Sequence, residues 1–63
     1  MTELELRLAT RCVVLEYELS HAAEVMPVGI GGAYLRFVTN TGFTPGPEDQ
    51  ARVVNRADEA LKR

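Results

Sequence analysis

Residues 4–26 read LELRLATRCVVLEYELSHAAEVM, and two periods overlap in them. Leu4-Glu5-Leu6-Arg7-Leu8 alternates apolar and charged with period two, as a half-buried strand does. Leu8, Cys12, Leu15, Leu19, Ala22 and Met26 recur at steps of four and three, as one face of a helix does. A hairpin would have to turn at ATRC, which holds no Gly, Pro, Asn or Asp and so lacks turn chemistry. The helical pattern also runs on through SHAAEVM without a breaker until Pro27. The pattern therefore predicts one long helix over residues 2–26.

Such a helix has two apolar faces. Leu4, joined to the stripe from Leu8 to Met26, spans about 80° of the circumference, narrow enough for a coiled-coil seam. Leu6, Val13 and Tyr17 lie roughly opposite, with charged residues filling both gaps. One face can pack internally while the other is left for a partner.

The C-terminal segment predicts a second helix over 47–62. Pro47 suits a first turn, where its missing N–H costs nothing. Glu48 and Asp49 sit at the positive end of the helix dipole, and Lys62 and Arg63 at the negative end. Glu48–Arg52, Asp58–Lys62 and Glu59–Arg63 are i,i+4 pairs with the acid first, the better orientation. The expected buried stripe is thin: Ala51, Val54, Ala57 and Leu61, with Val53 and Ala60 beside it.

Between the two helices, residues 27–46 open with Pro27 and a glycine-rich connection, Gly29, Gly31 and Gly32. AYLRFVT (residues 33–39) fits a short helix with Tyr34, Leu35, Phe37 and Val38 as its apolar side and Gly42 as its C′ residue. It also fits a strand, because Val38-Thr39 and the aromatics favour one. A lone strand would have no partner inside the monomer, so the helix is preferred. The expected fold is all-α: a single domain over residues 1–63, with a long N-terminal helix, a Gly-rich loop with a short second helix, and a C-terminal helix.

Size changes the picture. A chain of 63 residues hides only about 60% of its unfolded surface, so it usually needs a disulfide, a metal or oligomerisation. Cys12 is the sole cysteine, which excludes an internal disulfide. Cys12 and His21 stand nine residues apart, about half a turn out of phase on a helix, so no metal or other cofactor is expected. Oligomerisation remains, most simply a homodimer. The expected seam is Leu8, Cys12, Leu15, Leu19, Ala22 and Met26.

Formal net charge is −2, which argues against a general nucleic-acid binder. Residues 1–26 are acidic, with five glutamates against two arginines, whereas residues 47–63 are balanced. The contact patch expected for a larger, basic protein partner is therefore Leu6, Val13 and Tyr17, rimmed by Glu16 and Glu24. No basic n-region leads into an apolar h-region, and no run approaches the ~20 apolar residues of a membrane span. With one unpaired cysteine, the expected compartment is the cytoplasm.

No residue pattern assembles an active site. GIGG lacks the Lys and Ser or Thr of a phosphate-cradling loop. Ser20 and His21 point about 100° apart on a helix and cannot act as nucleophile and base. His21 lies one turn from Tyr17, which suits a local stacking contact. Glu16 and Glu18 face different directions, so they are no acid–base pair. A tiny oligomeric enzyme would have only His21, Tyr34 and Arg36 to bring together from several chains. The pattern implies a non-catalytic interaction protein, such as small phage or mobile-element inhibitors and adaptors.

Residues 22–45, through Ala22, Ala23, Leu35, Phe37, Gly42 and Pro45, resemble helix-turn-helix domains of the excisionase and MerR kind. They depart from that pattern at Pro27, where a turn glycine is usual, and in a turn about two residues longer. The resemblance implies a DNA-binding regulator with Arg36, Thr39, Asn40 and Thr41 offered to the major groove. It is the alternative to a protein-binding module.

Overall fold

A computed structural model describes residues 1–22 and 28–62. Those residues form three helices and no strand: α1 (Glu3–Ala22), α2 (Ile30–Thr41) and α3 (Pro47–Leu61). The all-α expectation holds, and the helix reading of 33–39 prevails over the strand. The expected extension of the first helix over 23–26, and its stop at Pro27, lie outside the described residues.

α1 starts at a reciprocal cap. The Thr2 N–H donates to Glu5 Oε1 at 2.8 Å, and the Glu5 N–H donates to Thr2 Oγ1 at 3.1 Å. This is a capping box, which satisfies two amide donors that the first turn leaves without partners.

α2 begins earlier than the glycine pattern suggests. Gly31 and Gly32 lie in its first turn instead of in a loop, and the Ala33 N–H already donates to the Gly29 carbonyl at 2.9 Å. Gly32 is there for space: a Cβ added to it would stand 2.8 Å from Val28 Cβ. At the other end Gly42 takes φ 73°, and its N–H donates to the Val38 carbonyl at 2.9 Å. That is the left-handed C′ position expected of it. α3 starts with Pro47 in its first turn, as expected, and closes the Asp58–Lys62 ion pair at 2.9 Å. Glu59–Arg63 falls outside the described residues at Arg63.

The core is Leu6, Ala9 and Val13 from α1, Ala33, Tyr34 and Phe37 from α2, and Val53 and Ala57 from α3. Three of its eight members are alanines, which let the helices approach closely but bury little area each. α2 and α3 both pack chiefly on α1 and only lightly on each other. The molecule measures 34 × 27 × 17 Å, so its short dimension is about two helices deep. α1 thus forms one layer and α2 with α3 the other.

Two expected stripes are rotated. On α3 the buried line is Val53 and Ala57, with Val54 and Leu61 half-buried and Ala51 and Ala60 exposed. The rotation sets the Arg56 guanidinium beside Glu3 on α1, to which it donates two bonds, at 2.9 and 3.3 Å. On α2 Leu35 leaves the expected apolar side and stands 66% exposed, while Ala33 takes a core position. No helix among the described residues is long and apolar enough to cross a membrane.

Candidate functional site

The faces of α1 divide differently from what its periodicity suggests. Leu6 and Val13, expected on a contact patch, are 4% and 0% exposed and belong to the core. They cannot receive a partner in this fold. Tyr17 is half-buried against the same core and stacks on His21, with ring centroids 4.3 Å apart. Glu16 is half-buried and accepts a long hydrogen bond from Asn40 Nδ2 at 3.5 Å. Glu24 lies outside the described residues. The physical reason is that α2 and α3 supply their own apolar faces, and these close on the Leu6–Val13 side.

The opposite side is open. Leu4, Leu8, Leu15 and Leu19 are 66, 55, 57 and 59% exposed, and Ala22 is exposed as well. Within this stripe Cys12 is half-buried against the core, and Met26 lies outside the described residues. At 100° per residue the four leucines share about 60° of the helix and face away from Val13. From Leu4 to Leu19 the stripe rises roughly 22 Å along the helix. Arg11 and Glu18, both exposed, border one edge; Glu5 and Glu16 border the other.

Beside the stripe an apolar groove of about 200 Å³ is lined by Glu5, Leu8, Ala9, Cys12, Phe37 and Phe43. Phe43 stands over it because Gly42 turns the chain back, and its ring centroid lies 6.3 Å from that of Phe37. Sequence reasoning missed Phe43. A large aromatic one residue beyond a glycine C′ position is the signal that could have found it. A second shallow groove, between α2 and α3, is lined by Tyr34, Leu35, Val38, Pro45 and Val54 among others, and shares no residue with the stripe.

The chemistry-bearing residues are engaged structurally. Ser20 is 1% exposed; its hydroxyl donates to the Tyr17 carbonyl at 2.8 Å and accepts from the Val28 N–H at 3.3 Å. It ties the end of α1 to the approach of α2 and has no geometry for attack on a substrate. The described residues hold no group of three His, Cys, Asp or Glu side chains placed for a metal ion. Burial pushes the Tyr34 hydroxyl above its ordinary value. The Arg56 guanidinium holds the Glu3 carboxyl below its usual range, and the Thr2 cap does the same for Glu5.

Of the residues assigned to a DNA-reading helix, Arg36, Thr39, Asn40 and Thr41 are all exposed on α2. Asn40 reaches back to Glu16, and the Thr41 hydroxyl donates to the Phe37 carbonyl and accepts from the Phe43 N–H. Arg36 is the single charge on the helix. Compared with known proteins, the chain matches no family model, no curated protein and no solved structure.

Proposed function

We infer that the protein is a non-catalytic interaction module of the cytoplasm. It self-associates, most simply as a dimer, through the outward stripe of α1, and it acts by occupying a surface on a larger protein, as small phage-like inhibitors and adaptors do. The observation that carries this reading is the row of four leucines, each more than half exposed, on the side of α1 opposite the core. Contiguous apolar surface of this kind, edged by charges, marks contact sites on small proteins. A core with three alanines among its eight members gives a second reason, because a thin core gains from a second copy.

With Leu6 and Val13 buried, contact with a larger protein passes to the groove around Leu35, on the other layer. The helix-turn-helix alternative has less support, since α2 offers one cation and two of its four reading residues are occupied. The test is molar mass by light scattering over a hundredfold dilution, with circular dichroism on the same samples. A helical dimer is expected. A folded monomer at every concentration overturns the self-association reading.

A further inference from the structure

The leucine stripe and the groove beside it are one surface, with Leu8 and Cys12 common to both. We propose that α1 of a second copy covers it, running antiparallel, in the register that sets Leu8 against Leu19 and Cys12 against Leu15 of the second copy. This rests on the self-associating reading above and adds direction and register to it.

Charge decides the direction. In an antiparallel pair each flanking edge meets the same edge of the other helix. Arg11 of one copy then lies beside Glu18 of the second copy, and the two-fold axis repeats the pair. Both side chains are exposed and free to turn toward each other. Glu5 meets Ala22 of the second copy, which costs nothing. A parallel pair instead sets each edge against the opposite edge, so Arg11 would need Glu16 as its partner, and Glu16 is half-buried beside Asn40.

The groove agrees with this register. Leu15 and Leu19 of the second copy come down over Leu8 and Cys12, at the mouth of the cavity walled by Phe37 and Phe43. The two Cys12 residues are then offset by about 4.5 Å along the helices, whereas Cys12 and Leu15 of the second copy stand at one level, the better placement for a disulfide. A parallel pair would set the two Cys12 at one level.

Cross-linking and charge exchange test this once light scattering has shown a dimer; a monomer at all concentrations removes the self-associating reading and this one with it. Under mild oxidation the unaltered protein should form a Cys12 dimer only slowly. Mixed with a chain carrying Cys12→Ser and Leu15→Cys, it should give a disulfide-linked heterodimer faster. Cys12–Cys12 cross-linking as fast as the heterodimer's, or no heterodimer, overturns the antiparallel register while leaving self-association intact. Arg11→Glu should weaken dimerisation roughly tenfold at low salt, and adding Glu18→Arg should restore it. A double variant no tighter than the single one likewise overturns the register.

Discussion

At the residue scale, Ser20 and Gly32 carry local constraints and Gly31 does not. Ser20 looks reactive beside His21 in the sequence, but it is a buried clasp whose oxygen serves both Tyr17 and Val28. Ser20→Ala leaves the Val28 N–H without its acceptor, and should cost about 1–3 kcal/mol in urea unfolding. Gly31 and Gly32 are neighbours in the first turn of α2 and should respond oppositely to alanine. A Cβ at Gly31 meets nothing within 4 Å, so Gly31→Ala should stabilise by up to about 1 kcal/mol through helix propensity. A Cβ at Gly32 falls 2.8 Å from Val28 Cβ, a backbone-proximal atom that cannot rotate aside, so Gly32→Ala should lower the urea midpoint. The two glycines are indistinguishable in the sequence; only the path of Val28 separates them.

At the element scale, α1 is held at its N-terminal end by carboxylates. Glu5 closes the cap with Thr2, and Glu3 accepts both bonds from Arg56 and a further contact from Arg7 at 3.5 Å. Both acids therefore titrate below the ordinary glutamate value of 4.5. A depressed folded-state pKa means stability that is present above that value and lost as pH falls through it. The urea midpoint should decline from about pH 5 downward, and Glu3→Gln combined with Glu5→Gln should flatten that decline. A profile as steep in the double variant as in the parent would exclude these two groups as its source. The capping box was legible in the sequence as Thr2-x-x-Glu5, a signal that the apolar stripe overshadowed. The Glu3–Arg56 tie was not legible, because the two residues are 53 positions apart and meet only once α3 lies on α1.

At the scale of the whole molecule, the decisive feature is that α2 and α3 cover one side of α1 and leave the other bare. Leu15→Glu should convert a dimer to a monomer of unchanged helicity, because Leu15 is 57% exposed and is not a member of the core. Tyr17→Glu, by contrast, should lose helicity and midpoint together, since Tyr17 packs on the core. Retention of the dimer by Leu15→Glu would move the association surface away from the stripe. Duplex DNA should show no salt-dependent shift even near 50 mM salt, given one cation on α2 and a net charge of −2.

Periodicity and end chemistry alone determined the helical class, the start of α3 at Pro47, the glycine stop at Gly42 and the existence of two apolar faces on α1. Each of these depends on residues within a turn or two of one another, where backbone geometry and hydrogen bonding are local. Which face of α1 turns inward was decided only by tertiary packing. Leu8, Leu15 and Leu19 belong to a longer apolar stripe and are bulkier than Ala9 and Val13, so the sequence favours them for the principal seam. Ala9 and Val13 are buried instead, with Leu6, in one cluster with Ala33, Val53 and Ala57, and small side chains on each helix are what close approach requires. The large leucines are left on the outside, where a second copy can use them.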